Sequence, residues 1–366
     1  MKSILFAGLS LLTLLANLLT PATARTVQYS FVDPGYTQEI YTGPLAGGPG
    51  MAWTTSNNLL SRNGSTILEY SPTQNTVYQG TNLHGVILSH PLSGLDPGGY
   101  GLTNGLDGYI YANSPSGLQR FNPNNWAAPV QNLAGTSGGL YGIATLPDGR
   151  IVYNDSVFGA SKIYVYDPVA TTNTLIYSSS TQLDGIVTGP TGNIALADQL
   201  YSKIVIITNT GSVLNTINTA HYPDGLAFAE TASSSTLYSN NNDGTITRYV
   251  LAPGYTGTPT VTDIATGSGA YGDLAAVGPD CAFYVSQAEN GNYHGATAGV
   301  GTNWDNLVTT NEKSIIRIGS GIRLPDGTTV CHFYSPIVGG VVAPEPASLT
   351  LLGLGSLLLL SRRRRA

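Results

Sequence analysis

Residues 142–153 read GIATLPDGRIVY, two short apolar runs on either side of Pro147-Asp148-Gly149. Proline followed by Asp-Gly is typical of a tight turn, and β-branched and aromatic residues favour strands. The stretch therefore predicts a β-hairpin. Residues 162–167 and 175–177 continue the pattern as a third and a fourth strand. The result is a predicted unit of four short strands.

This unit recurs along the chain with a period of about forty residues. The glycines that open successive copies are separated by 41, 43, 40 and 47 residues, and they are Gly101, Gly142, Gly185, Gly225 and Gly272. A weaker first copy runs from 50 to 70. Four short strands at this period are typical of a β-propeller blade, and no segment of the body has the period of a helix. The sequence therefore predicts an all-β propeller of six four-stranded blades, with five or seven as alternatives because the first copy is weak.

The repeated units resemble the six-bladed superfamily that includes the NHL-repeat proteins and the gluconolactonase-like proteins. The shared features are the Gly-apolar-Ala opening, the Pro-Asp-Gly turn and the apolar strand that follows it, as in 142–153. The resemblance covers most of 48–335. It implies a closed ring of blades around a central channel.

The C-terminal 23 residues have a different character from the body. Pro344-Glu345-Pro346 is followed by an apolar run at 349–360 and by Arg362-Arg363-Arg364-Arg365. This order resembles the PEP-CTERM sorting signal, which implies export in a Gram-negative-type envelope and processing by an exosortase-type enzyme. Residues 347–361 would span roughly 22 Å as a helix, which is short for a bilayer core of about 30 Å. The alternative is a simple anchor that is never cut.

The N-terminal residues predict a signal peptide. Lys2 supplies a positive charge, residues 4–19 are apolar, and Ala22-Thr23-Ala24 fits the small-x-small rule for cleavage. We expect the mature chain to begin at Arg25. A first transmembrane helix is the alternative. The predicted organisation is a signal peptide at 1–24, a propeller body at 25–338 and a sorting segment at 339–366.

Charge and cysteine content limit the partners and the compartment. The chain has 15 basic and 21 acidic residues, and removing Lys2 and the four terminal arginines leaves 10 basic against 20 or 21 acidic. Such an acidic body argues against binding to nucleic acid or to an anionic membrane surface. Cys281 and Cys331 are the two cysteines. In an oxidising compartment they either pair as a disulfide or remain two buried thiols.

The residue before each opening glycine is expected to lie at the mouth of the channel. This register selects Tyr100, Tyr141, Asp184, Asp224 and Tyr271. The aspartates on adjacent blades could share a hard cation such as Ca²⁺, which takes six to eight oxygen ligands. Alternatively, both Asp-Gly pairs only shape the entry into a strand.

The resemblance also implies an enzymatic alternative. In gluconolactonase-like proteins a channel metal polarises an ester carbonyl, and an aspartate of an Asp-Gly-Leu segment acts as the base; Asp224-Gly225-Leu226 matches that segment. The same group uses an early Glu and two Asn ligands, and the corresponding positions here are Met51, Tyr100 and Tyr141. The sequence departs from the family pattern at three of its ligands.

A long insertion interrupts the last repeat. Residues 287–313 include Tyr293, His294, Trp304 and Asp305, and loops of this length are often functional. Tyr293 and Trp304 predict a ligand loop that stacks on sugar rings, with a solvated surface excursion as the alternative. No phosphate-binding loop of the Gly-x₄-Gly-Lys-Ser/Thr type occurs in the sequence.

These observations favour a binding or scaffold protein over an enzyme. The predicted function is an exported cell-envelope or extracellular-matrix propeller that binds a polysaccharide or a matrix protein, with a metal-dependent lactonase or esterase as the alternative. The expected location is the cell surface or the extracellular space, after transient anchoring by the C-terminal segment.

Overall fold

The computed structural model describes residues 29–32, 35–42, 50–78, 81–155, 159–230, 235–267, 270–289, 313–319, 321–323, 327 and 329–331. The predicted signal peptide and the predicted sorting segment lie outside these residues, as do Tyr293 and Trp304. In the described part of the chain, no helix is both long and apolar enough to cross a membrane.

Two short strands, β1 (Tyr29–Phe31) and β2 (Gln38–Ile40), precede the first blade. Blade 1 contains β3 (Met51–Trp53), β4 (Leu59–Asn63), β5 (Thr66–Tyr70) and β8 (Val86–Pro91), and a separate hairpin of β6 (Thr76–Tyr78) and β7 (Thr81–Leu83) precedes its last strand. Blade 2 contains β9 (Leu102–Asn104), β10 (Ile110–Ala112), β11 (Gln119–Phe121) and β12 (Gln131–Asn132). Each blade is an antiparallel meander.

The next two blades follow the same plan. Blade 3 contains β13 (Ile143–Thr145), β14 (Ile151–Asn154), β15 (Ser161–Asp167) and β16 (Thr172–Ser179). Blade 4 contains β17 (Ile186–Thr188), β18 (Ile194–Asp198), β19 (Lys203–Ile207) and β20 (Val213–Asn218). The predicted hairpin at 142–153 is confirmed as the β13–β14 pair, with Ala144 opposite Val152.

Blades 5 and 6 each include a strand from the N-terminal segment. Blade 5 contains β21 (Pro223–Glu230), β22 (Ser235–Asn241), β23 (Thr245–Leu251) and β24 (Thr260–Gly267), with β1 added at its edge, and a 3₁₀ turn at Pro253–Tyr255. Blade 6 contains β25 (Ala270–Val277), β26 (Phe283–Glu289) and β27 (Lys313–Ile318), with β2 as its fourth strand. A final hairpin of β28 (Ile322–Arg323) and β29 (Thr329–Val330) ends the described chain. The prediction of an all-β propeller with six blades is confirmed.

The ring closes where the N-terminal strand β2 pairs with β27. Ile40 lies opposite Ile316, and the Glu39 carboxylate next to it contacts both His84 of blade 1, at 2.7 Å, and Arg317 of blade 6, at 3.4 Å. A buried cluster with residues from both blades fills the joint, including Trp53 and Tyr284, whose rings meet edge to face. Apolar packing and a side-chain hydrogen bond between Glu39 and His84 therefore both join the first and last blades.

Side chains of the innermost strands hold neighbouring blades together. The Thr145 hydroxyl donates to the carbonyl oxygen of Asn104 at 2.6 Å, and the Thr188 hydroxyl donates to that of Thr145 at 2.6 Å. The junction of blades 3 and 4 also contains buried apolar side chains such as Leu146 and Ile194. Full burial of each such side chain contributes about 1.5–3 kcal/mol, so the blades depend on one another for their stability.

The two faces of the ring differ. Strand directions place the start of every innermost strand on one face, which we call the mouth face. The hairpins between the first and second strands of the blades lie on the opposite face, which we call the turn face; these include the turns at 105–109, 146–150 and 278–282. Glu289 and Lys313, the ends of the insertion in the last blade, lie at the mouth face because β26 runs toward it and β27 away from it.

Candidate functional site: the channel mouth

The repeated glycine at the start of each inner strand is explained by its neighbour in the next blade. A Cβ atom on Gly142 would collide with the carbonyl oxygen of Asp184. A Cβ atom on Gly185 would collide in the same way with the carbonyl oxygen of Asp224. Only glycine permits this close approach of two backbones. The period visible in the sequence therefore marks the points where one blade meets the mouth residue of the next.

The inner strands surround a cavity of about 110 Å³ that opens to solvent. Near the mouth face, the wall of the cavity is apolar and includes Ile143, Ile186 and Leu226. Farther toward the turn face, the wall includes Thr103, Thr145 and Thr188. This volume is smaller than the roughly 300–1,000 Å³ of pockets that hold drug-sized ligands, so the cavity has room for a small chemical group only. The lining thus favours an uncharged ligand or an uncharged part of one.

Two tyrosines form an aromatic pair at the mouth. The rings of Tyr100 and Tyr141 are stacked, with centroids 5.2 Å apart and planes 12° from parallel. Both side chains are half-buried, and Tyr141 also lines the cavity. The predicted register is right for both residues. The pair offers a flat apolar surface next to polar hydroxyl groups.

The two predicted aspartates lie at the neighbouring blades, but their side chains are buried. Asp184 and Asp224 are 2% and 4% exposed, and neither lines the cavity. The Oδ1 atom of Asp184 accepts a hydrogen bond from Gln182 Nε2 at 2.7 Å, and its Oδ2 atom accepts one from Gln199 Nε2. The carboxylate therefore orients two glutamine side chains.

A chain of amides connects the two aspartates. The side chain of Asn242 contacts Gln199 on one side and Asp224 Oδ2, at 3.0 Å, on the other, where it also meets the carbonyl oxygen of Gly272. An amide presents a donor on one side and an acceptor on the other, while an ionised carboxylate only accepts. If both aspartates are ionised, no orientation of the Gln199 and Asn242 amides gives every acceptor a donor. In each orientation, two acceptor atoms face each other. One further hydrogen in this chain removes the conflict.

The sequence predicts a Ca²⁺ site at Asp184 and Asp224, but the oxygen atoms available there do not fit that ion well. No group of three or more His, Cys, Asp or Glu side chains that could hold a metal occurs among the described residues. Two carboxylates and two amide oxygens fall short of six to eight ligands, and the carboxylates already accept hydrogen bonds. Met51, at the position where the resembling proteins have Glu, supplies no oxygen. No catalytic step follows from these residues, and the metal site stays a prediction.

A histidine at the outer part of the mouth face lies between two carboxylates. His221 Nδ1 lies 2.5 Å from Asp243 Oδ2, and His221 Nε2 lies 3.1 Å from Asp263 Oδ2. The hydrogen bond to Asp243, together with the nearby charge of Asp263, raises the pKa of His221 to about 9. Although burial opposes it, the contact with His221 keeps the pKa of Asp243 below its usual value. The ring is therefore an imidazolium at neutral pH.

The accessible polar side chains at the mouth were missed by sequence reasoning. Gln182 and Gln199 are half-buried, and Tyr222 is exposed. Gln182 and Tyr222 lie two residues before a predicted mouth aspartate, and Gln199 directly follows the second strand of blade 4. Inspection of the residues after each second strand, in addition to those before each first strand, could have found them. The side chain of Tyr271 lies outside the described residues.

Cys281 and Cys331 are joined by a disulfide, with their Cα atoms 4.7 Å apart. Cys281 lies in the turn at 278–282, so the disulfide is on the turn face, away from the mouth. It fixes the end of the described chain to the last blade.

The sequence carries a known sorting motif at its C-terminal end. Residues 342–365 match the PEP-CTERM protein-sorting motif. This is a PEP-CTERM-bearing chain. The motif implies export, membrane-anchored sorting and processing by exosortase. No curated protein shows significant similarity to the sequence.

Solved structures with a similar course of the chain are remote in sequence. A putative gluconolactonase is 12% identical over 80% of this chain and 98% of its own, with a TM-score of 0.49. A streptogramin B lyase is 14% identical over 77% and 98%, with a TM-score of 0.48. Regucalcin from Agrobacterium tumefaciens, described as calcium-binding, is 12% identical over 78% and 96%, with a TM-score of 0.46. These likenesses concern the fold and assign no ligand or reaction to the PEP-CTERM-bearing chain.

Proposed function

We propose that this protein is an exported binding protein whose channel mouth recognises sugar units of an extracellular polysaccharide. The stacked pair of Tyr100 and Tyr141 carries the proposal. The apolar faces of a sugar ring pack against aromatic rings, and its hydroxyl groups require both donors and acceptors nearby. The pair supplies the first requirement at the edge of an open cavity.

The amides beside the pair supply the second requirement. Gln182 and Gln199 each carry a donor and an acceptor, and the buried Asp184 carboxylate holds both in place. Because Asp184 and Asp224 are buried and the accessible groups next to the tyrosine pair are neutral, this part of the mouth suits a neutral sugar better than an anionic one. The propeller is a rigid support for such a site, and no part of the proposal needs a reaction.

The proposal also covers the destination of the protein. The body at 25–338 would remain at the cell surface or in the extracellular matrix after the sorting segment is processed. Its partners there are the polysaccharide itself and the exosortase-type enzyme that acts on the tail. The sorting motif supports the second partner, and the mouth supports the first.

Binding to the extracellular polysaccharide of the producing cells, and to an array of neutral oligosaccharides, tests the function. We expect the exported protein to bind and the double variant Tyr100→Ala/Tyr141→Ala to lose binding while its melting temperature stays near that of the wild type. Tyr164→Ala is the matched control, since Tyr164 also belongs to a stacked tyrosine pair, with Tyr153, but lies on the third strand of blade 3. Equal binding by the double variant would refute the site, and no binding by the wild type would refute the function.

A further inference from the structure

The mouth face carries a second group of aromatic side chains, apart from the stacked tyrosine pair. Among the tyrosine side chains that the structure describes, only Tyr201 and Tyr222 are exposed, at 55% and 38%. Tyr201 lies in the loop between the second and third strands of blade 4, and Tyr222 lies in the loop that leads from blade 4 to blade 5. Leu200, next to Tyr201, is also exposed. We call Leu200, Tyr201 and Tyr222 the blade-4 platform.

Hydrogen bonds hold the two loops of the platform in place. The Thr219 amide of one loop donates to the Ser202 carbonyl of the other at 2.8 Å. On the side of blade 5, the Asn242 amide donates to the Tyr222 carbonyl at 2.8 Å. Because the backbone that carries the platform is fixed before a ligand arrives, little entropy is lost in ordering it on binding.

The histidine next to Tyr222 anchors the same loop to blade 5. The two ring nitrogens of His221 lie 2.5 Å and 3.1 Å from carboxylate oxygens of Asp243 and Asp263. Asp243 follows the second strand of blade 5, and Asp263 belongs to its fourth strand. The loop is thus bound by its charged side chain to two parts of the next blade, while the Tyr222 side chain stays exposed.

The platform continues from the tyrosine pair along the mouth face. Tyr141 directly precedes Gly142, which lies against the Asp184 carbonyl of blade 4. The Asp184 carboxylate accepts a hydrogen bond from Gln199, and Leu200 follows Gln199 in the chain. An aromatic surface, an amide and a second aromatic surface therefore follow one another from blade 3 to blade 4. Successive units of a sugar chain present apolar ring faces and hydroxyl groups that match this order.

Resting on the proposed function, we infer that the mouth face binds a stretch of several units of one polysaccharide chain. One unit packs on Tyr100 and Tyr141, and a later unit of the same chain packs on Tyr201 and Tyr222. Since the chain itself links the two contacts, the second forms at a high effective concentration. A fragment that reaches both should bind on the order of 10²-fold more tightly than one that reaches only the first. The mouth face therefore selects polymers over free sugars and short fragments.

Binding as a function of fragment length tests the inference. The extracellular polysaccharide of the producing cells is cut by partial acid hydrolysis, separated by size and titrated into the exported protein in a calorimeter. We expect the affinity of the wild type to rise by about 10²-fold beyond a threshold length. The variant Tyr201→Ala/Tyr222→Ala should bind short fragments as the wild type does and lack the rise, whereas Tyr201→Phe/Tyr222→Phe keeps the rings and should retain it. Val213→Ala/Leu214→Ala is the matched control, since both side chains are exposed on the outer strand of the same blade, and it should behave as the wild type.

The outcomes separate this inference from the proposed function. A wild-type affinity that does not depend on length, or a rise that persists in Tyr201→Ala/Tyr222→Ala, would overturn the second contact and leave the site at Tyr100 and Tyr141 standing. Loss of short-fragment binding in that variant, at an unchanged melting temperature, would also overturn it, because the two contacts would not be separate. Loss of the rise in the Phe variant would contradict stacking as its cause. If the wild type binds no fragment of any length, the proposed function is itself refuted, and the inference with it.

Discussion

The side chain of Asn104 binds both backbone groups of Trp53 on the neighbouring blade. Its Oδ1 atom accepts a hydrogen bond from the Trp53 amide at 2.9 Å, and its Nδ2 atom donates to the Trp53 carbonyl at 2.7 Å. An asparagine amide can do this because it carries a donor and an acceptor, as a peptide group does. The Asn104 side chain therefore joins blade 2 to blade 1 with the same two kinds of hydrogen bond that a neighbouring strand would form with Trp53.

Replacing this amide should weaken the whole ring. We expect Asn104→Ala to lower the free energy of unfolding by about 2–4 kcal/mol, because it removes two hydrogen bonds to the buried backbone of Trp53. Urea denaturation followed by circular dichroism measures the loss. Asn125→Ala, at an exposed loop position, is the control and should change stability little. Equal effects of the two substitutions would contradict the role of Asn104.

The two mouth aspartates should respond to amide substitution with opposite signs. In Asp184→Asn, the new amide can donate to Gln199 and still accept from Gln182, so the missing hydrogen is supplied and the melting temperature should rise. In Asp224→Asn, the new amide faces the Asn242 nitrogen that the Gly272 carbonyl also requires, so the melting temperature should fall.

The same thermal melts test the predicted metal site. A ligand that binds only the folded state raises its melting temperature by mass action. If Ca²⁺ stabilises the wild type and neither variant, Asp184 and Asp224 hold the ion as the sequence predicts. If Ca²⁺ shifts no melt and the two variants change in opposite directions, the amide chain accounts for both residues. Two variants that change in the same direction without Ca²⁺ would contradict the hydrogen-bond argument.

His221 should make stability depend on pH in the alkaline range. Its pKa is about 9 in the folded protein against an ordinary value of 6.5, so the folded state binds the proton more tightly than the unfolded state does. This contribution is fully present below pH 6.5 and is lost as the pH rises through about 9. Urea unfolding between pH 6 and 10 should show a fall for the wild type that is smaller in His221→Gln. Parallel profiles for the two proteins would rule out His221 as the source.

The disulfide should be a large single contribution to stability. Cys281 and Cys331 are 50 residues apart, and a loop of that length gains about 4 kcal/mol in the chain-entropy model. The variant Cys281→Ser/Cys331→Ser should therefore melt well below the wild type. A reducing agent should lower the wild type to the same temperature and leave the variant unchanged. A reduced wild type that melts as before would show that the bond adds nothing.

The sorting motif leads to a prediction about the mature chain. Intact-mass measurement of the protein from its own host should give a species that starts at Arg25 and lacks Arg362–Arg365. In a strain without the exosortase-type enzyme, the four arginines should remain on a membrane-bound species. Secretion of a chain that still carries them would contradict processing at this motif.

The repeat unit was predictable because its signal is local. The Pro147-Asp148-Gly149 turn and the short apolar runs on either side of it predict a hairpin without reference to the rest of the chain. The strands β1 and β2 could not be found in this way. Each has three residues, and β2 is a strand because Ile40 meets Ile316 at the far end of the sequence.

The site was predictable in position and only partly in chemistry. The register that selected Tyr100 and Asp184 depends on the glycine after each, and the structure places both at the mouth. The Asp184 carboxylate accepts a hydrogen bond from Gln199, which follows the second strand of the same blade. No local sequence pattern predicts this contact or the burial of Asp184. A turn-face pattern, an Asp bound to the Tyr four residues later, was also missed, although Asp107–Tyr111 and Asp280–Tyr284 are visible in the sequence.

The closure of the ring by β2 also relates folding to the order of export. The Ile315 amide donates to the Thr42 hydroxyl across 273 residues. With the predicted signal peptide in front, an unfolded chain would cross the membrane N-terminal end first, so β2 would reach the outside before β27, its partner strand. Pairing over such a distance is also intrinsically slow. We therefore expect that, in a chain exported behind the predicted signal peptide, the last blade is completed only after 313–318 has crossed the membrane.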